Sequence, residues 1–200
     1  MRTLAEDGQF PEMVEVSHAL LDMLGDDAER LHPTYLELGC GSGALMVALL
    51  ERGVVSADGV DLSSESIATA TRRAEGSGVG DRVNLQVGDG SVAQVEPHDW
   101  VVLDRVICCY SHVDRLLGNA VGAATRRFAF SVPRDRGWQG LVNRLIVTAE
   151  NATNRLRGRP CPGYVHSIRK MERRLAAAGF ALLRDQKVGL WYAAVWERAS

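Results

Sequence analysis

The sequence predicts an α/β architecture: a doubly wound, mostly parallel sheet that closes with an antiparallel hairpin and carries a helical insertion after its fifth strand. Three observations predict it. Strand-like apolar runs alternate with stretches of helical period along most of the chain, the pattern of βαβ units around a parallel sheet. A glycine cluster, Gly39-Cys40-Gly41-Ser42-Gly43, falls between the first strand-like run and the helix after it. Near the carboxyl end, two strand-like runs are joined only at Gly189, too short a join for a parallel crossover, so they form a hairpin.

The elements follow in order. Residues 13–31 read as an N-terminal helix, with Val16, Leu20, Met23 and Leu24 at amphipathic spacing, and Pro33 ends the approach to the sheet. Strand one covers 34–38, residues 39–43 are a tight turn, and 44–51 form a helix of good helix formers. Strand two covers 57–61. Ser63 and Ser64 are N-cap candidates for a helix running to about residue 75, with Ile67, Ala68 and positions 70–74 on its inner face. Strand three covers 83–87. The near-continuous apolar runs 100–106 and 126–132 suit central parallel strands covered on both faces, and are strands four and five. Pro133 then breaks the rhythm, and 138–156 is a long helical stretch that a minimal doubly wound sheet does not need. It is read as part of a lid insertion over 137–165. A helix over 168–178, closed by Gly179, leads to the hairpin strands 180–188 and 190–197.

Two hundred residues, 46% hydrophobic and 24% charged, fit one globular domain spanning 1–200. No apolar run approaches the ~20 residues of a membrane span, and residues 1–10 lack the apolar core of a secretory signal, so the expected location is cytoplasmic. Cys40, Cys108, Cys109 and Cys161 show no CxxC or Cys/His spacing, which predicts reduced thiols, no disulfide framework and no metal site. Charge is divided unevenly. Residues 1–100 hold 18 Asp/Glu against 6 Lys/Arg, and residues 101–200 hold 7 against 17, giving −12 and +10. The basic half is almost all arginine, which suits bidentate contacts to carboxylate or phosphate. A solvated arginine-rich surface accounts for the block equally well.

The glycine cluster ends a strand and opens a helix, where a glycine-rich turn lets the backbone approach a ligand at the helix N-terminus. Read as G-x-G-x-x-A with Ala44, and with Asp61 about twenty residues on, it also satisfies the dinucleotide fingerprint. Two cofactor classes therefore compete. The whole string Tyr35-Leu36-Glu37-Leu38-Gly39-Cys40-Gly41-Ser42-Gly43 resembles motif I of the class I S-adenosylmethionine-dependent methyltransferases, including the acid two residues before the first glycine. The resemblance continues through Asp61 at the end of strand two, Gly88-Asp89 after strand three, Asp99 opening strand four and the closing hairpin. No tyrosine is followed by a lysine four residues on, which removes the catalytic pair of short-chain dehydrogenases.

The resemblance implies a Rossmann-like fold, S-adenosyl-L-methionine as cofactor and methyl transfer as the reaction. Gly39, Cys40, Gly41 and Gly43 then admit the methionine tail and ribose edge against the backbone. Asp61, beside Leu62, accepts both ribose hydroxyls; its alternative is to cap the next helix. Asp89 accepts from the adenine amino group, with Gly90 leaving room for the ring, or is a turn former. Glu37 orients the turn and favours the cationic amino group. Asp104 joins this set unless it pairs with Arg105.

Substrate contacts are sought at the carboxyl end of strand four, in Leu103-Asp104-Arg105-Val106-Ile107-Cys108-Cys109-Tyr110, because open α/β sheets bind ligands at that edge. The [DN]PP[YF] string of enzymes that methylate base amino groups is absent here, and twelve scattered aromatics give no stacking platform, so no nucleic-acid partner is expected. Segments 103–110, 131–136 and 164–167 resemble a small-molecule branch related to magnesium-protoporphyrin O-methyltransferases, departing from it in the short amino-terminal region and the Cys-Cys-Tyr string. The expected partner is a small molecule, and the expected state a monomer or homodimer. His166, His112 and Tyr110 are the candidate general bases. Their alternatives are a capping-region side chain, a surface residue at a helix start, and a ring packed over the cofactor. Cys108 and Cys109 read as small core hydrophobes. In the lid stretch, Leu141, Leu145, Thr148, Ala152 and Leu156 form one stripe, with Arg155, Arg157 and Arg159 at its end. With Arg105 and Tyr110, Arg155 and Arg157 are the substrate candidates, facing a partly apolar acceptor that bears a carboxylate or phosphate; the alternative is that the stripe packs on the sheet. A nicotinamide oxidoreductase and a catalytically silent cofactor-binding subunit are the other functional readings.

Overall fold

The apolar runs assemble as one seven-stranded sheet in a computed structural model that describes residues 12–158 and 162–199. Arg159 and Cys161 lie outside the described residues. The strands are β1 (Thr34–Leu38), β2 (Ser56–Asp61), β3 (Val83–Val87), β4 (His98–Leu103), β5 (Ala124–Pro133), β6 (Phe180–Val188) and β7 (Trp191–Arg198). Their order across the sheet is β3-β2-β1-β4-β5-β7-β6. The first five pair in parallel, and β7 enters antiparallel between β5 and β6, so the hairpin at Gly189 is formed as expected.

Helices α1 (Glu15–Leu31), α2 (Ala44–Glu51) and α3 (Ser64–Gly76) cover one face; Leu20, Leu24, Leu49 and Ala74 pack there with Tyr35 and Trp100. Helices α4 (Val113–Ala123) and α6 (Ile168–Ala177) cover the other, where Leu116, Ala120 and Met171 meet Leu36, Val101 and Phe128. The helix α5 (Gly137–Leu156) contributes to neither cluster. Ser63 caps α3, its hydroxyl accepting from the Ser66 N–H at 3.1 Å.

Strand four is shorter than its apolar run. It leaves the sheet after Leu103, because the Asp104 carboxylate accepts from the hydroxyls of Ser17 and Ser131, and Arg105 turns the chain with φ 55°. Asp99 sits at the opposite, amino-terminal edge, where its carboxylate accepts from the Thr34 N–H at 3.0 Å and from its hydroxyl at 3.2 Å, tying β4 to β1. Leu38, Asp61, Val87 and Leu103 end the parallel strands on one edge, and the candidate site is built there.

Candidate functional site at the carboxyl edge of the sheet

The glycine turn is held open by conformation and by packing. Gly39, Gly41 and Gly43 have φ of 83°, 54° and 71°, the left-handed region that side chains disfavour. A Cβ on Gly39 would also come within 2.3 Å of Val106, so this glycine serves close packing of the turn on the chain after β4. A Cβ on Gly41 would meet nothing within 4 Å. Gly41 therefore faces open space, and it lines a cavity of about 170 Å³ together with Ser17, Glu37, Gly39, Asp104 and Arg105. Cys40 is buried, and its sulfur lies 3.0 Å from where a Cβ on Gly59 would sit, so the thiol serves the core beneath the turn.

Asp61 braces that turn. One carboxylate oxygen accepts from the Gly41 N–H at 2.9 Å and the other from the Ser63 N–H at 2.9 Å. Each oxygen keeps a second lone pair for a ligand hydroxyl. Leu62 beside it is 65% exposed, an apolar surface at the same edge.

Glu37 is 3% exposed and accepts from the Tyr35 hydroxyl at 3.0 Å. Burial pushes its carboxyl well above the ordinary range and the Asp104 charge adds to this, while the Tyr35 hydroxyl pulls it back. Two carboxyls facing one small cavity, one of them buried and reluctant to ionise, favour a cationic ligand group. Ser17 and Ser131, which fix Asp104, were missed in the sequence. Ser17 left a signal there, since it interrupts the apolar face of α1 beside Val16, Leu20 and Leu21.

Asp89 accepts from the Ser91 N–H at 2.9 Å and the Tyr110 hydroxyl at 2.8 Å through the same oxygen, Oδ1. Burial raises this carboxyl, but those hydrogen bonds outweigh it and hold it below the usual range. Oδ2 remains for a donor such as an adenine amino group. Gly90 is closely packed. A Cβ there would meet Leu38 at 3.1 Å and Leu116 at 3.4 Å, so Gly90 makes room for neighbouring strand and helix side chains. Asn119 pins this loop, its amide donating to the carbonyls of Gly90 and Ala93 at 2.8 and 2.9 Å.

Arg105 is the basic residue of the cavity lining. Arg105 lies with its guanidinium 5.6 Å from the Trp191 ring centre, and its backbone N–H donates to the Ser131 hydroxyl at 2.9 Å. The candidate bases are placed differently from one another. Burial together with the bond to Asp89 raises the Tyr110 hydroxyl above its ordinary value, which suits a donor to Asp89. His166 directs Nε2 at the Tyr110 carbonyl at 2.8 Å, so that nitrogen carries a proton, and burial keeps the imidazole below its ordinary pKa. His112 is exposed at the start of α4. Cys108 is half-buried and Cys109 is exposed, so the expectation of two core thiols is corrected. The turn holding them lies at the edge of the site, where the Cys108 carbonyl accepts from the Tyr164 N–H at 2.8 Å.

The lid helix differs most from expectation. Its stripe neither packs on the sheet nor lines the cavity: Leu141, Leu145 and Leu156 are 62%, 63% and 90% exposed. Asn143 and Asn151 hold α5 instead, the first donating to the Arg134 and Leu190 carbonyls and the second exchanging hydrogen bonds with Gly163. Arg155 and Arg157 are exposed at its carboxyl end and do not line the cavity.

Residues 36–128 match a family model described as a methyltransferase domain. Ribosomal protein L11 methyltransferase of Pasteurella multocida is 34% identical over 71 residues, covering 36% of this chain and 24% of that protein. Ubiquinone biosynthesis O-methyltransferase of Neisseria meningitidis is 26% identical over 98 residues, covering 49% of this chain and 41% of that protein. The match thus spans less than half the length of these curated relatives. Among solved structures, magnesium protoporphyrin IX methyltransferase from Synechocystis with bound SAH has a TM-score of 0.75 at 16% identity, covering 96% of this chain and 90% of that one. An O-methyltransferase family protein from Burkholderia thailandensis has a TM-score of 0.74 at 16% identity, covering 94% and 57%. At such identity these likenesses show the fold. Glu37, the glycine turn, Asp61, Asp89 and Asp104 all lie inside the segment that matches a methyltransferase domain, on a fold shared with solved methyltransferases.

Proposed function

We propose that the protein moves the methyl group of S-adenosyl-L-methionine to an oxygen or nitrogen of a small, partly apolar, anionic molecule. The observation that carries this reading is one shared cavity: Glu37, Gly41 and Asp104 line it beside Arg105. The open side of Gly41 is a cradle that a Cβ would fill, and the two acids match the positive charges of the cofactor. Asp61 would take the ribose hydroxyls through its unused lone pairs, and Asp89 Oδ2 the adenine amino group. When bound, the cofactor supplies an electrophilic methyl on a sulfonium. The protein's part is alignment and exclusion of water, which suffice for much of the acceleration of an in-line displacement. Arg105 would hold the anionic group of the acceptor beside the Trp191 ring. A carboxylate acceptor needs no base; for a phenol, His112 is an exposed side chain at the same edge, whereas the His166 Nε2 proton is committed to a carbonyl. Oxygen is favoured by the O-methyltransferases among the similar proteins.

The test is incubation with methyl-labelled cofactor and a panel of hydroxylated aromatic acids, phenols and amines. Transfer to an anionic member, with a raised KM in Arg105→Ala and adenosylhomocysteine affinity kept, is the expected result. A folded protein that binds no adenosylhomocysteine in calorimetry would overturn the reading.

A further inference from the structure

Helix α5 is built inside out relative to an ordinary amphipathic helix. Its inward side is Gly140 and Asn143, followed by Val147 and Asn151, and the asparagines are held by backbone carbonyls and an N–H. Its large apolar side chains point away: Trp138, Leu141, Leu145, Ile146 and Leu156 are 68%, 62%, 63%, 41% and 90% exposed. At ~100° per residue, positions 141, 145, 152 and 156 form one stripe roughly opposite the packed positions 140, 143, 147 and 151. A contiguous exposed apolar stripe of this kind marks an interaction surface.

Charge selects the occupant. Arg144 and Arg155 are exposed on the flank of the stripe and Arg157 is exposed at the carboxyl end of α5, whereas Glu150 is the exposed acid of the helix and Asp135, 9% exposed in its side chain, lies 3.9 Å from the Arg136 guanidinium. We propose that this face of α5 docks on an anionic lipid surface, with Trp138 and the leucines entering the interfacial layer and the arginines among the headgroups. Such a helix lies in the interface plane, needing only its own apolar face to be covered. Among the described residues no helix is long and apolar enough to cross a membrane, so the contact is peripheral. A second copy fits less well. An antiparallel pairing of two α5 stripes would set the Arg144 and Arg155 edge of one copy against the same edge of the other, and a stripe one helix wide is narrow beside the ~800 Å² per partner of a stable interface. The inference is independent of the methyl acceptor.

The test is co-sedimentation of the intact protein with vesicles of phosphatidylcholine alone and of phosphatidylcholine with phosphatidylglycerol. Binding to the anionic vesicles only, weakened by salt and accompanied by a blue shift of tryptophan emission that is absent in Trp138→Ser, is expected. Leu141→Gln with Leu145→Gln should lower partitioning by about tenfold or more, and Arg144→Gln with Arg155→Gln should lower it while retaining the melting temperature. These side chains are exposed, so the variants fold, and an unchanged adenosylhomocysteine affinity checks this. Absence of binding, equal binding to both vesicles, or binding indifferent to the leucine variants overturns the proposal. So does lipid-free self-association abolished by the leucine variants, which would assign the face to a second copy.

Discussion

Asp61 accepts a hydrogen bond from the backbone N–H of Gly41 at 2.9 Å, so the acid that ends β2 and the turn that ends β1 form one rigid unit. Removing the carboxylate therefore loosens the turn and, on the proposed cofactor placement, deprives the ribose hydroxyls of acceptors. Asp61→Ala should weaken adenosylhomocysteine binding by about 1–3 kcal/mol, read by calorimetry. Unchanged affinity with an intact fold would remove Asp61 from the cofactor site.

Glu37 predicts a proton signal. Its buried carboxyl is raised well above the ordinary range, chiefly by desolvation and then by Asp104, so the free protein holds that proton into higher pH. A cationic amino group entering the cavity favours the carboxylate, so binding should release a proton and tighten as pH rises towards the shifted value. For folding the sign is opposite: the proton is held more firmly in the folded state, so this contribution is full below the unfolded pKa and is lost as pH rises through the folded one. Glu37→Gln should abolish the proton release and lose less stability on alkalinisation. Calorimetry in two buffers of different ionisation enthalpy reads the release, and a buffer-independent heat for the native protein would contradict it.

Tyr110 acts through Asp89. Its hydroxyl helps to keep that carboxylate below the usual range and fixes its orientation. Tyr110→Phe should cost about 0.5–1.5 kcal/mol of cofactor affinity. The pH profile of kcat should keep its shape, because a hydroxyl raised above its ordinary value is no base near neutrality. Loss of the limb on which kcat rises with pH would make Tyr110 the base instead.

Strands and the glycine turn were legible because period two, buried runs and glycine punctuation are local properties. The end of β4 was not: Val106 and Ile107 extend the apolar run, but Asp104 is captured by Ser17 and Ser131, which are distant in sequence. The same local logic located α5 yet could not orient it. Period 3.6 shows a stripe, whereas the choice of packed side is made by Asn143 and Asn151 finding backbone partners at Arg134, Leu190 and Gly163. For Asp61, Glu37 and Asp89 the motif gave position, but their mutual bracing through Gly41, Tyr35 and Tyr110 is a tertiary property.

The thiols should be dispensable for chemistry. Burial raises Cys40 well above its ordinary value, and Cys108 is raised by its bond to Cys109 and then by burial, so neither supplies a thiolate near neutrality. Cys108→Ala and Cys109→Ala should leave measurable methyl transfer. A trapped covalent adduct on either would reopen a cysteine mechanism.

Arg105 combines strain with position. It is a non-glycine residue at φ 55°, it lines the cavity, and its guanidinium lies over Trp191. A side chain in the left-handed region costs ~1–2 kcal/mol, and a glycine there escapes that cost while losing ~0.4–1 kcal/mol to a freer unfolded chain. Arg105→Gly should therefore leave the melting temperature unchanged or slightly raised, and Arg105→Ala should not raise it. Both should elevate the KM for an anionic acceptor by about tenfold or more, the loss of a charge-assisted hydrogen bond of ~1.5–3 kcal/mol, while adenosylhomocysteine affinity stays put. The conformation is then retained for the acceptor at a small expense of stability, as strain at a functional site requires. If Arg105→Gly lowers the melting temperature and leaves KM alone, the arginine is there for its packing on Trp191, and the anionic group of the acceptor must be held by another cation.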